Sequence, residues 1–133
     1  MADIGLTETI LLGTPAKVLQ YTPEADVELT VSGGATPSAQ SEAINVLGAA
    51  EISLVVDHTL TGSDSTDLDV EIFTSYDGSN WDTDAYATVN VAAGKQRAPT
   101  PITPPNVHSI RWKATNNDGA NATKVRPVIT IRR

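Results

Sequence analysis

Two histidines and no cysteine are available for acid–base or nucleophilic chemistry in this 133-residue chain. His58 and His108 each lie in or beside an alternating strand pattern, and neither accompanies a nucleophile motif such as Gly-x-Ser-x-Gly. The glycines are scattered and form neither a phosphate-binding loop nor a dinucleotide fingerprint. We therefore expect structural or surface roles for both histidines, and the sequence predicts neither an enzyme nor a cofactor.

The 16 carboxylates offer two further kinds of chemistry. A glycosidase pair needs one acid in an apolar pocket beside a sugar-binding cleft, and one Phe, three Tyr and two Trp provide little to build it. A calcium site is the stronger alternative, because four aspartates bracket the loop HTLTGSDSTDLD, although the spacing of an EF-hand is absent. Solvated turn acids explain this pattern better, so we predict no metal ion. The four aspartates are Asp57, Asp64, Asp67 and Asp69.

Charge is divided unevenly along the chain. Residues 1–94 hold 15 of the 16 acids and one base, whereas residues 95–133 hold eight of the nine bases. Two uses of this division have equal weight. The acids and bases could pair on adjacent strands of one chain, or the acidic end of one copy could contact the basic end of another. The within-fold alternative places Asp67, Asp69 and Glu71 beside a strand that carries Arg111 and Lys113.

The overall balance limits the classes of partner. A net charge of -7 and an isoelectric point near 4.6 argue against general nucleic-acid binding, which needs a concentrated basic face. The N-terminal sequence MADIGLTETILLG is acidic where a signal peptide is basic, and its apolar run Ile10 to Leu12 is too short for a membrane span. We expect synthesis in a cytoplasm, no membrane partner and no nucleic-acid partner.

Apolar and polar residues alternate with the period of a β-strand in several segments. The pattern predicts a single antiparallel β-sandwich of jelly-roll-like, all-β architecture over residues 24–133, with residues 1–23 as either its first strand or an extended arm. The Ser/Gly-rich segment Gly33 to Ala43 is predicted to be a loop, and the proline-rich segment Ala98 to Asn106 an extended crossover between sheets. The alternating segments are 26–31, 51–56, 67–72, 86–91, 110–114 and 125–131.

Three residue runs carry a resemblance to a known group of proteins. In order they are EISLVVDHTLTG, LDVEIFTSYDGSNWDT and VHSIRWKATNNDGANATKVRPVITI. From about Ala50 onward the chain resembles small β-sandwich virion proteins of tailed bacteriophages. The Asp77-Gly78 pair should form a turn with positive φ, and Trp81 and Trp112 are expected in the core, Trp81 folding back onto Leu68, Val70 and Ile72.

The resemblance implies a non-enzymatic structural protein located in the virion, in particular a capsid decoration or cement protein that binds the major capsid protein and neighbouring copies of itself. A neck, tail or fibre-associated virion protein is an alternative. A carbohydrate-binding module is another, since galactose-binding-like jelly rolls share the Asp-Gly-x-x-Trp turn; Trp81, Tyr76 and Tyr86 would be its stacking surfaces. The residues assigned to partner binding are Asp67, Asp69, Glu71, Arg111, Lys113, Arg126, Arg132 and Arg133.

Overall fold

The computed structural model of the chain describes residues 3–13, 17–31, 36–103 and 106–133. The described residues form twelve β-strands in two antiparallel sheets on either side of an apolar core. This arrangement confirms the predicted all-β antiparallel sandwich, whereas the jelly-roll variant stays a prediction. The strands are β1 (Leu6–Leu12), β2 (Val18–Pro23), β3 (Val27–Leu29), β4 (Ser38–Gln40), β5 (Ile44–Asn45), β6 (Glu51–His58), β7 (Leu68–Ser75), β8 (Ala87–Val91), β9 (Lys95–Gln96), β10 (Thr100–Ile102), β11 (Ser109–Asn116) and β12 (Thr123–Arg132).

The larger sheet has the strand order β1-β2-β12-β6-β10, with β3 beside β12 and β9 beside β6. The smaller sheet has the order β4-β11-β7-β8, with β5 beside β11. The centre of each sheet is one long antiparallel pair: β6 with β12 in the larger sheet, and β7 with β11 in the smaller. Of residues 1–23, the described part contributes the antiparallel strands β1 and β2 at one edge of the larger sheet.

Alternation along these central strands creates the core. Leu68, Val70 and Ile72 of β7 are buried, while the residues between them are half-buried and point outward. Trp112 of β11 lies opposite Ile72 and is also fully buried. Each fully buried Val, Leu or Ile side chain stabilises the fold by about 1.5–3 kcal/mol, so the facing apolar rows of the two sheets dominate its stability.

Several connections carry the chain from one sheet to the other. Asn117-Asp118-Gly119 has the composition of a hairpin turn, but β11 before it belongs to the smaller sheet and β12 after it to the larger. The segment from β6 to β7 changes sheets in the same way. Turn residues mark where the chain reverses, but they do not determine whether the next strand returns to the same sheet or to the facing one.

Two loop predictions are refined by the structure. Within the segment Gly33 to Ala43, residues 33–35 lie outside the described part, and Ser38–Gln40 is a short strand beside β11 rather than a loop. Within Ala98 to Asn106, β10 pairs with β6 as an edge strand, residues 104–105 lie outside the described part, and the next strand, β11, belongs to the other sheet. This position suits Pro101, because an edge strand tolerates a residue without an N–H.

Pro127 occupies an unusual place in the middle of β12, the longest strand. One side of β12 pairs with β3 over residues 123–125 and with β2 over residues 129–132. Pro127 falls between these two pairings, where the ladder changes partner. No backbone N–H is therefore required at this position on that side, which explains how a central strand accommodates a proline.

Candidate functional site

The outward side of the smaller sheet brings together four of the predicted partner-binding residues, Asp69, Glu71, Arg111 and Lys113; we call this side the charged face. Lys113 lies directly opposite Glu71 in the β7–β11 pair. The strand bearing the acids is thus adjacent to the strand bearing the bases, as the within-fold alternative predicted. Opposite charges in such cross-strand positions contribute about 0.2–1 kcal/mol.

At the start of β7 the acids are held by amide side chains. The Nδ2 group of Asn90 donates to Asp67 Oδ1 at 2.8 Å and to Asp69 Oδ1 at 2.7 Å. The Nδ2 group of Asn117 donates to Asp69 Oδ2 at 2.8 Å. Asn90 therefore bridges two like-charged carboxylates, and its main-chain oxygen in turn accepts a hydrogen bond from Arg97 at 2.6 Å.

Trp81 lies outside the core, contrary to prediction. It is half-buried and forms an isolated bridge with Ser75, and the guanidinium of Arg111 lies over its ring, with Cζ 4.2 Å from the ring centroid. The inward position opposite Ile72 is already occupied by the indole of Trp112, for which the core prediction holds. The second indole therefore covers the outer surface, where a cation–π contact replaces core packing.

The turn that precedes Trp81 is organised by one carboxylate. Asp77 Oδ1 accepts hydrogen bonds from the backbone N–H groups of Ser79 and Asn80, both at 2.8 Å. These backbone bonds, together with the side chain of Asn80, hold the pKa of Asp77 well below its ordinary value. Gly78 has a φ of 83°, which confirms the predicted positive-φ turn.

The remaining predicted bases lie on β12 or immediately after it, and each contacts a group of its own chain. Arg126 forms an ion pair with Asp26 at 2.7 Å, and Arg132 forms one with Glu51. Arg133 donates to the main-chain oxygens of Leu47 and Asn45. The uneven charge distribution is thus used within the fold, although exposed pairs of this kind contribute only about 0–1 kcal/mol each.

The two histidines have different surroundings. His58 is fully buried, with Nδ1 2.9 Å from the oxygen of Ala92 and Nε2 2.5 Å from the hydroxyl of Thr123. A carbonyl can only accept, so Nδ1 carries the proton and Nε2 accepts from Thr123 in the neutral ring. His108 is half-buried and lies 2.7 Å from the hydroxyl of Ser109.

The four aspartates considered as calcium ligands do not form a metal site in the described part of the chain, where no three His, Cys, Asp or Glu side chains converge. Asp57 instead accepts hydrogen bonds from the backbone and hydroxyl of Thr59, at 3.1 and 2.6 Å. Asp67 and Asp69 accept hydrogen bonds from the amides described above.

Over residues 3–13, 17–31, 36–103 and 106–133, there is no helix long and apolar enough to cross a membrane.

A shallow groove of about 700 Å³ lies at the end of the larger sheet. The ion pair of Arg132 and Glu51 forms part of its wall, together with Ile52 and Ile102. The described residues that line it include no aromatic side chain. A sugar-binding site uses such rings as stacking platforms, so this groove does not have the composition expected for the carbohydrate-binding alternative.

No protein-family model matches the chain, and no curated protein matches it. The likeness to virion proteins therefore rests on the three residue runs alone.

One feature of the surface was missed by the sequence-based reasoning. Ile10, Leu11 and Leu12 in β1 are all exposed, although the same apolar run had been considered only as a membrane or signal segment.

Proposed function

We propose that this chain is a non-enzymatic structural protein of a tailed-bacteriophage virion, and specifically a decoration protein that binds and stabilises the capsid lattice. The observation that carries the proposal is the position of the three runs that resemble virion proteins. They supply β6, β7, β11 and β12, which are the two central strand pairs of the sandwich. The resemblance thus extends over the framework of both sheets rather than over one isolated turn.

The charged face is the surface that we assign to the capsid. On β11, the guanidinium of Arg111 lies against the ring of Trp81. Lys113 lies at the centre of the face, between Glu71 of β7 and Gln40 of β4, and can contact a partner. A surface that presents both signs of charge favours one orientation of a complementary partner and disfavours others. Lys113 is therefore the base on which we expect capsid binding to depend most.

Binding energy alone is sufficient for this function. A decoration protein that binds the assembled lattice and not the free subunits shifts the equilibrium toward the assembled state by mass action. The rigid sandwich suits this function, because a preformed surface loses little conformational entropy when it docks. No reaction and no cofactor is required of any residue.

Quantitative mass spectrometry of purified particles from the source tests the proposal. A copy number close to that of the major capsid protein is the expected result. A handful of copies per particle would instead favour the neck, tail or fibre alternative. Absence from particles would overturn a virion function altogether.

A charge reversal tests the assigned surface separately. Lys113→Glu should reduce the occupancy of the chain on undecorated capsids, because it places a second acid opposite Glu71 and removes the central base. Lys95→Glu is the matched control, since it makes the same charge change on β9 of the other sheet. Equal occupancy of the two variants would show that the charged face does not bind the capsid.

One observation favours the carbohydrate-binding alternative. The ring of Tyr76 is 70 % exposed beside the Asp77-Gly78 turn, and its hydroxyl lies 3.5 Å from the side-chain nitrogen of Asn80. One face of Trp81 is covered by Arg111, so Tyr76 is the better stacking surface. Glycan-array binding that Tyr76→Ala abolishes and Tyr86→Ala preserves would support this function, and loss of particle binding is not expected from either variant.

A further inference from the structure

The strand β1 is exposed on both of its faces. Six of its seven residues are exposed, and only Leu6 is half-buried. Its second half is an uninterrupted apolar run, in which Ile10 is 65 % and Leu11 53 % exposed. Single exposed apolar residues are common on proteins, but three in succession on an edge strand form a surface suited to a partner.

One edge of β1 is free of a partner strand within the described residues from Leu6 onward, because the pairing of Ile4 with Gln40 and Glu42 on that side ends before β1 begins. β1 pairs with β2 on one side. Gly5 accepts a hydrogen bond from the N–H of Glu24 on that side, so alternate residues from Leu6 onward direct their backbone groups the other way. The N–H of Leu6 is satisfied by the carboxylate of Glu42 at 2.8 Å, which leaves Glu8 and Ile10 to present the outward groups.

The opposite edge of the same sheet provides a comparison. It is formed by β10, which has three residues and contains Pro101. Short length and proline are among the features that protect an edge strand from pairing with another chain. β1, by contrast, has seven residues and neither proline nor lysine, and its one acid, Glu8, accepts a hydrogen bond from Tyr21 of the neighbouring strand at 2.7 Å. The pairing of β1 with β2 has one irregularity, between Ile10 and Leu12, but the β1 edge lacks the short length and the proline that protect the β10 edge.

The charges beside β1 are polarised along the strand. Glu24 and Glu42 lie at its beginning, close to Gly5 and Leu6. Lys17 and Arg133 lie at the other end, where Leu12 pairs with Val18 and the N–H of Arg133 donates to Lys17 at 2.9 Å. Antiparallel pairing of two such strands places the acidic end of each beside the basic end of the other, whereas parallel pairing would place like charges together.

We propose that the free edge of β1 binds β1 of a second copy of this chain in antiparallel orientation, about a two-fold axis beside Ile10. The two larger sheets then form one continuous sheet across the dimer. The pairing satisfies the outward backbone groups, covers the apolar run from Ile10 to Leu12 and matches the charges at both ends. This inference does not depend on the proposed virion function.

Sedimentation equilibrium of the purified protein, combined with one pair of variants, tests the interface. The native chain should have the mass of two copies at micromolar concentration. Leu11→Lys should weaken the dimer at least about tenfold, because it places a charge in the apolar seam. Leu47→Lys is the matched control, since Leu47 is also 53 % exposed but lies outside β1, and it should leave the dimer unchanged. A monomeric native chain, or equal effects of the two variants, would overturn the proposal.

The orientation is tested by exchanging charges. Lys17→Glu should weaken the dimer about two- to five-fold, as expected for an exposed ion pair, and adding Glu24→Lys to the same chain should restore it. A double variant that is weaker than the single variant would exclude the antiparallel arrangement.

A cross-link provides an independent measure, because the chain has no cysteine of its own. Ile10→Cys should form a covalent dimer under mild oxidation much faster than Leu47→Cys, since the two-fold axis brings the two introduced thiols together. Similar rates for the two variants would contradict the proposed axis.

Discussion

The guanidinium of Arg111 covers the indole of Trp81 on the outer side of the smaller sheet, 4.2 Å from Cζ to the ring centroid. Arg111 lies on β11 opposite Phe73, and Trp81 follows the turn that leaves β7. The contact therefore ties the Asp77-Gly78 turn to the neighbouring strand. It also means that, over the part of the chain that the structure describes, Lys113 is the one base of β11 whose charge is not held against an aromatic ring.

A double-mutant cycle on Arg111→Ala and Trp81→Ala should reveal coupling of about 0.5–1 kcal/mol, the range of a partly exposed cation–π contact. Urea unfolding measures the free energy of each variant. Lys113→Ala combined with Trp81→Ala is the control, because Lys113 occupies the same face and strand without such a contact in the described residues. Additive effects of Arg111 and Trp81 would show that the contact does not stabilise the fold.

Replacing His58 by Phe should strongly destabilise the sandwich. The ring volume is largely kept, but the buried hydroxyl of Thr123 loses its partner, at about 1–3 kcal/mol, whereas the oxygen of the exposed Ala92 can turn to water. His108→Phe should have a smaller effect, since His108 is half-buried and its one side-chain partner, Ser109, is adjacent in sequence. Thermal and urea denaturation compare the two, and equal losses would argue against a structural role specific to His58.

The stabilising effect of Asp77 should depend on pH. Its folded pKa lies below the ordinary value of 3.8, so the charged form stabilises the fold above that pH, and this contribution is lost as the pH falls through the lowered pKa. Asp77→Asn should therefore have a lower Tm than the native chain at pH 7, and the difference should shrink below about pH 4. Asp84→Asn is the control, since Asp84 makes no comparable hydrogen bonds in the described part of the chain. A Tm difference between Asp77→Asn and the native chain that does not change with pH would contradict the expectation.

Gly78→Ala should destabilise the turn by about 1–2 kcal/mol, because an alanine is strained at a φ of 83°. The added Cβ would also lie 3.1 Å from Nδ1 of His108, so the neighbouring ring would have to move. Gly119→Ala is a matched control, since its φ is not positive and no atom lies within 4 Å of the new Cβ. Equal unfolding free energies for these two variants would show that the positive φ of Gly78 does not require a glycine.

The sequence was sufficient to predict the strands that bury one full row of apolar residues. The alternation in 51–56, 67–72 and 110–114 corresponds to β6, β7 and β11, because a half-buried strand requires that pattern. Strands of two or three residues, such as β5 and β9, bury too little to leave a recognisable signal. The assignment of strands to sheets could not be predicted either, since it depends on how the facing rows pack.

The candidate site was predictable in part for similar reasons. Charge patterning offered the acids of β7 beside the bases of β11 as one of two equally weighted alternatives, and the structure has this pairing, with Lys113 opposite Glu71. The position of Trp81 was wrong, since residue type favours the core but Trp112 already fills the space opposite Ile72. The free edge of β1 was missed because exposure of Ile10 depends on which strands cover it, and this is a property of the topology.

The position of β11 and β12 at the centres of their sheets has a consequence for biosynthesis. β6 and β7 are made early, but their principal partners are residues 109–132, which the ribosome adds much later. Until then each apolar row is flanked on one side only, β7 by β8 and β6 by β9 and β10, and closing such distant pairs requires large loops to form first. We therefore expect the sandwich to form in one late step after β11 and β12 have been translated, and the half-covered β6 and β7 to rely on chaperones or on rapid elongation to escape aggregation until then.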